Sequence, residues 1–210
     1  MAVIVAGHSC RPLLLFWSIW SSLIDDTKTN QPLRTFSKFS DVAYSGSVRA
    51  DGKLVCAGDR TGQVSVFEVN GNQSKLRWFK GHKAPVQSAL WSRDGTRVFS
   101  CSDDATVRLW ELSTGAQVSA FSGHGDYIRC AAASPASEQV WASGSYDHTV
   151  RLWDMRQGGG GPSSSSSSSA TKRKSPCALM VDHGKPVESV LFMPGGGVML
   201  TAGGTEVKAW

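Results

Sequence analysis

A serine made nucleophilic by a histidine that an aspartate orients is the apparatus of acyl transfer. The sequence carries that trio twice. His82, Ser100 and Asp104 form one set, followed by Trp110; His124, Ser143 and Asp147 form the other, followed by Trp153. Gly81-His82 stands 42 positions before Gly123-His124, and Trp110 stands 43 before Trp153. A catalytic triad occurs once, at one site. Sets that return at a fixed spacing are instead the mark of a repeated structural network, so the residues point away from an enzyme. The remaining candidate chemistry is thinner still. Five cysteines and five histidines contain no CxxC and no HxxxH, so no metal site is expected. Gly158 to Gly161 lacks the Lys-Ser/Thr that a phosphate loop needs, and no cofactor is expected. An odd number of scattered cysteines fits reduced thiols inside a cell.

The elements that must position these residues are short strands. SCSDDATVRLWE (100–111) lies over SGSYDHTVRLWD (143–154) without a gap, and the VRLW runs alternate as strands do. Asp-Gly or Ser-Pro turns separate the first strand from the second. A period of about 40–45 residues, with GH opening and WD closing each unit, is the signature of a β-propeller built from four-stranded blades. The fold class is therefore all-β, with about four blades present. A ring of seven such blades needs roughly 300 residues, so the chain of 210 reads as part of a propeller.

Four segments are expected. Residues 1–30 are atypical: Pro12 to Ile24 is apolar, lacks turn punctuation and is too short to span a bilayer. It also lacks the basic start and small-residue cleavage site of a signal peptide. Residues 31–157 hold the blades. The first is degenerate, with Lys38-Phe39 for Gly-His, Thr61 for the aspartate and Phe67 for the tryptophan, 43 positions before Trp110. Residues 158–176 are a Gly/Ser-rich insertion, expected to be a disordered loop. It carries Lys172, Arg173 and Lys174 before Ser175-Pro176, and the readings are a nuclear-import signal, a phosphate-backbone contact, a proline-directed phosphosite at Ser175 or a solvated charge run. Residues 177–210 make a final incomplete blade, with Asp182-His183 for Gly-His and Gly204 near the aspartate position. Trp210 falls one residue short of the expected Trp-Asp, which reads as truncation.

The two full blades closely resemble WD-repeat proteins. That resemblance implies a bond from His82 to Asp104 and from His124 to Asp147, with Ser100 and Ser143 bridging to the indole N–H of Trp110 and Trp153. Three further stretches narrow it: PLRTFSKFSDVAYSGSVRADGKLVCAGDRTGQVSVFE, SGHGDYIRCAAASP and DHGKPVESVLFMPGGGVMLTAGGTEVKAW. Together they are similar to the nucleolar, small-nucleolar-RNA-associated WD-repeat proteins of the small-subunit processome. The resemblance implies a non-enzymatic scaffold in the nucleus and nucleolus that supports rRNA transcription and processing. Its partners would be other WD-repeat processome subunits, pre-rRNA and a small nucleolar ribonucleoprotein, with no membrane. A generic propeller adaptor, in ubiquitin ligation or signalling, and a truncated product without function are the other two classes. The formal net charge of +5 permits contact with nucleic acid without requiring it.

Overall fold

A computed structural model describes residues 3–5, 13–16, 22–26, 31–36, 38–70, 75–157 and 177–210. The Gly/Ser-rich insertion and Lys172, Arg173 and Lys174 lie outside the described residues, as does Cys10. Among the described residues the fold is all-β, with one turn of 3-10 helix at Met155–Gln157.

Five antiparallel meanders follow one another. The first joins β1 (Val3–Val5), β2 (Leu13–Phe16), β3 (Ser22–Asp26) and β4 (Gln31–Phe36). The second joins β5 (Ala43–Val48), β6 (Leu54–Asp59), β7 (Gln63–Glu68) and β8 (Lys75–Lys80). The third joins β9 (Val86–Trp91), β10 (Arg97–Ser102), β11 (Thr106–Glu111) and β12 (Gln117–Ser122). The fourth joins β13 (Ile128–Ala133), β14 (Val140–Ser145), β15 (Thr149–Asp154) and β16 (Cys177–Asp182). The last has three strands, β17 (Ser189–Phe192), β18 (Met199–Gly203) and β19 (Glu206–Ala209). Strands β5, β9, β13 and β17 are the inner ones and pack side by side.

Two segment boundaries differ from the sequence expectation. The first thirty residues contribute three strands of a four-stranded sheet that Gln31–Phe36 completes by pairing with β3, so they belong to a sheet rather than standing apart. Cys177–Asp182, read as the opening of the final unit, is the outer strand of the fourth sheet, with Val181 opposite Val150. The reason is general to such repeats. The GH that opens a sequence unit follows the outer strand of the preceding sheet, so unit and sheet are offset by one strand.

The core lies between sheets, not within one. Successive residues of a strand point to opposite faces, and the middle strands are covered on both. All six residues of β6 are buried. Leu54 and Cys56 face the third sheet, where they join Val86, Trp91 and Trp110; Val55 and Ala57 face the other way, toward Phe36 and Phe39. Phe99 stacks on Trp141 across the next interface, with ring centroids 4.5 Å apart. Cys56 and Cys101 are fully buried in second strands, and burial pushes both thiols far above the usual cysteine range. They pack as small apolar groups. Close approach to the next sheet depends on glycine in the middle strand of the second and fourth sheets: a Cβ on Gly58 would stand 2.5 Å from Val86 Cγ1. A Cβ on Gly144 would stand 2.6 Å from Val187 Cγ1 and from Cys130 Sγ.

Candidate functional site

The third and fourth sheets each bring one of the predicted sets together. His82 follows β8, Ser100 sits in the middle of β10, Asp104 in the β10–β11 turn and Trp110 near the end of β11. His82 Nδ1 lies 2.9 Å from Asp104 Oδ2, and His82 Nε2 lies 2.8 Å from Ser100 Oγ. Trp110 Nε1–H donates to the same Ser100 Oγ at 2.8 Å. The fourth sheet repeats this: His124 Nδ1 to Asp147 Oδ2 is 2.8 Å, His124 Nε2 to Ser143 Oγ is 2.8 Å, and Trp153 Nε1 donates to Ser143 Oγ at 2.7 Å.

These contacts settle where the protons sit. An indole N–H only donates. The serine oxygen accepts from it and turns its own hydroxyl hydrogen to Nε2 of the histidine. Nε2 is then the acceptor, and Nδ1 carries the proton donated to the aspartate. Both histidines are neutral in this arrangement. Burial holds His82 and His124 below the usual histidine range, against the pull of Asp104 and Asp147.

Each aspartate is saturated with donors. Asp147 Oδ2 accepts from the Gly125 N–H at 2.9 Å as well as from His124, and Oδ1 accepts the Thr149 N–H at 2.9 Å and hydroxyl at 2.7 Å. Burial raises this carboxyl, but the bonds from Thr149, Gly125 and His124 outweigh it and hold it at about 2. Asp104 is lowered likewise: burial raises it, and bonds from His82, Thr106 and Lys83 overcome that. The same turns hold Ala105 and His148 at positive φ, 59° and 70°, where side chains other than glycine are rarely found. Carboxylate bonds to the following threonine over-determine that strained turn.

The arrangement cannot act as a hydrolase. Ser100 and Ser143 have no solvent exposure, and each oxygen is engaged by an indole as well as an imidazole. A nucleophile must reach a substrate carbonyl, and these cannot. Among the described residues no group of three His, Cys, Asp or Glu could hold a metal ion. No helix among them is long and apolar enough to cross a membrane.

The other two networks depart from the pattern in different ways. In the second sheet every polar member is replaced at once. Phe39 stands for the histidine, Ala57 for the serine and Phe67 for the tryptophan. All are buried, and Phe67 packs on Phe36 at 5.2 Å and Phe39 at 5.0 Å between ring centroids. Thr61, in the aspartate's place, donates its hydroxyl to Asp59 Oδ1 at 2.6 Å instead. In the last sheet a trio that sequence reasoning missed is present. Thr201 Oγ1 lies 2.9 Å from His183 Nδ1 and accepts from Trp210 Nε1 at 2.9 Å. The signal was threonine in the serine position, nine residues before a tryptophan rather than ten.

A second polar cluster joins the third and fourth sheets. Arg129 Nη1 stands 3.8 Å from Asp103 Oδ1, and its guanidinium lies over Tyr146 at 4.8 Å and Tyr127 at 5.6 Å. Gln87 donates to Asp103 Oδ2 at 2.8 Å. Burial raises the Asp103 carboxyl, with Gln87 and Arg129 opposing.

Comparison with known proteins agrees with this geometry. The family model for the WD domain, G-beta repeat, matches residues 73–111 and 115–154. A chain in the crystal structure of a mitotic checkpoint complex superposes with a TM-score of 0.79 at 18% identity, over 99% of this chain and 59% of that one, which places the fold among β-propellers. The U3 small nucleolar RNA-associated protein 15 homolog of Xenopus tropicalis is 38% identical over 182 residues, 87% of this chain and 32% of that protein. U3 small nucleolar RNA-associated protein 15 of Saccharomyces cerevisiae is 33% identical over 89% of this chain and 34% of its own length. Protein SLOW WALKER 1 of Arabidopsis thaliana is 36% identical over 84% of this chain. The chain thus spans about a third of the length of the curated relatives it matches. The chain carries WD repeats over residues 73–111 and 115–154 and is similar along most of its length to U3 small nucleolar RNA-associated protein 15.

Proposed function

We propose that the chain is a non-enzymatic WD-repeat scaffold of the small-subunit processome, acting in the nucleolus in pre-rRNA transcription and processing. Its partners in this reading are other WD-repeat processome subunits, the U3 small nucleolar ribonucleoprotein and pre-rRNA. The observation that carries it is the extent of the similarity. Identity of 33–39% runs over 84–89% of the chain in animal, fungal and plant relatives, well beyond the two repeats that any WD-repeat protein shares. The polar networks then serve to fix each sheet's register and hold the surface rigid, since buried polar groups that pair only with one another specify one arrangement. Residues 158–176 are proposed as a surface loop leaving the fourth sheet, with Lys172, Arg173 and Lys174 serving nuclear import or a phosphate contact.

Affinity purification of the tagged chain, read by mass spectrometry and by probing for U3 RNA, tests this. Processome subunits with U3 RNA are expected. Ubiquitin-ligase or signalling subunits would assign it to the adaptor class, and chaperones alone would mark a product without function.

A further inference from the structure

Outer strands are where the sheets meet solvent, and the three described in full differ sharply in chemistry. Strand β12 is QVSAFS, without a charge, and β16 is CALMVD, whose one charge is acidic. Strand β8 is KLRWFK, three cations in six residues around an aromatic ring. Its Trp78 is 56% exposed and its Leu76 50%, whereas Phe79 turns inward to stack on Trp110. Trp78 pairs in the register with Ser65, which holds the position where β11 and β15 carry Arg108 and Arg151. No carboxylate among the described residues lies within ion-pair distance of Lys75, Arg77 or Lys80, although arginines 49, 97, 108, 129 and 156 and Lys208 are all so paired. Arg77 instead donates to the Ser113 carbonyl of the next sheet. Residues two apart share a face, so Trp78 and Lys80 do, and a bulge at Leu76 sets Lys75 opposite Phe67, on that same face, to make one stripe. That stripe runs into an open groove of about 450 Å³ whose walls include Lys80, Ser40, Thr61 and Gln63.

We infer that the outer strand β8 is a docking surface for single-stranded RNA, with a base stacked on Trp78 and backbone phosphates at Lys80 and Lys75. An exposed indole offers a flat face to any base, and unpaired cations beside it match the phosphate backbone. An apolar protein partner would be served by the tryptophan but would leave the ammonium groups of Lys75 and Lys80 without acceptors at the contact. The inference deepens the processome reading, which supplies RNA rather than DNA as the strand.

The test is fluorescence anisotropy of a labelled 20-nucleotide oligouridine RNA with the full chain over a salt series. Trp78→Ala should weaken binding about tenfold or more, with Trp78→Phe keeping most of it, because stacking needs a ring and not an indole. Lys75→Ser with Lys80→Ser should lower the slope of log affinity against log salt by about 1.4, at ~0.7 per phosphate contact on a single strand. Melting curves confirm that each variant folds; should Trp78→Ala fail to fold, Trp78→Phe and the lysine pair, both surface changes, decide the matter through the slope. Unchanged affinity and slope in all variants overturns the inference. So does loss of a co-purifying protein from Trp78→Ala with RNA binding intact, which would assign the strand to a protein partner. Co-purification of processome subunits is scored separately. RNA binding through Trp78 without those subunits sustains the surface and sinks the processome reading.

Discussion

Asp147→Ala isolates what the polar network contributes. The substitution removes four accepting contacts, and their surroundings decide the cost. The Gly125 N–H is exposed and turns to water. The Thr149 N–H is partly buried. The His124 side chain has no solvent exposure, and its Nδ1–H is left with only the Thr149 hydroxyl, 3.3 Å away. A buried donor reduced to one long contact costs up to the ~1–3 kcal/mol of an unmade bond, and loss of the carboxylate bond to Thr149 adds about 1 more. The expected loss is about 2–4 kcal/mol, or roughly 5–15 °C in melting temperature for a domain of this size. Asp104→Ala should behave alike, since it leaves His82 in the same position. Thr61→Ala is the internal control. It removes one hydroxyl from Asp59 Oδ1, which keeps the Thr61 and Gln63 N–H groups, so the loss should stay under about 1 kcal/mol. Urea melts followed by tryptophan fluorescence give all three numbers. Repeating Asp147→Ala in a His124→Phe background should cost less, because no imidazole N–H remains to lose its partner. Equal losses at the three positions, or full additivity in the double variant, would refute the reasoning.

Three further outcomes are expected. Transplanting the apolar set of the second sheet into the fourth (His124→Phe, Ser143→Ala, Asp147→Thr, Trp153→Phe) should recover at least half the stability that His124→Phe alone loses, because removing all partners leaves no unpaired group; a fourfold variant weaker than the single one by urea melt would contradict this. Acidification should destabilise in two steps. His82 and His124 are lowered when folded, so their contribution is complete above the unfolded value near 6.5 and falls below it. Asp147, held at about 2, adds a second loss as pH drops from about 4 toward 2. A melting temperature that rises between pH 7.5 and 5.5 would be the wrong sign. Finally, Gly144→Ala should cost about 1–3 kcal/mol by forcing Val187 and Cys130 aside, whereas Gly195→Ala, with nothing within 4 Å, should be near neutral in the same melts.

How much of this was legible in the sequence follows from whether the signal is local. The third and fourth sheets announced themselves because GH, SxxxD and WD-like strand ends recur at one period, and each marks a turn or a strand end. The strands of the first thirty residues did not, since Leu13–Phe16 and Ser22–Asp26 carry no turn residues between them of the kind that punctuate the later units. In the second sheet Phe39 and Phe67 were visible as departures, but that Ala57 completes them needs the register of β6, which the pattern does not contain. The trio of His183, Thr201 and Trp210 escaped because two of its markers changed together, Asp182 for glycine and Thr201 for serine. The cluster of Arg129, Asp103 and Tyr146 had no signal at all, because it joins neighbouring sheets and no spacing within a unit encodes it.

The pairing of β16 with β15 has a consequence for how this chain can vary. Five residues link Glu111 to Gln117 in the third sheet, yet 22 link Asp154 to Cys177 in the fourth, and the outer strand still finds its place opposite Leu152 and Val150. The entropy of closing a connection grows only with the logarithm of its length, so going from five to 22 residues adds about 1.3 kcal/mol. Five ladder pairs and the side chains between them outweigh that. An outer strand is therefore the joint at which length can accumulate without disturbing the sheet. It is also the strand whose amides should exchange first with solvent, because its detachment frees a long stretch of chain while breaking a single ladder of hydrogen bonds.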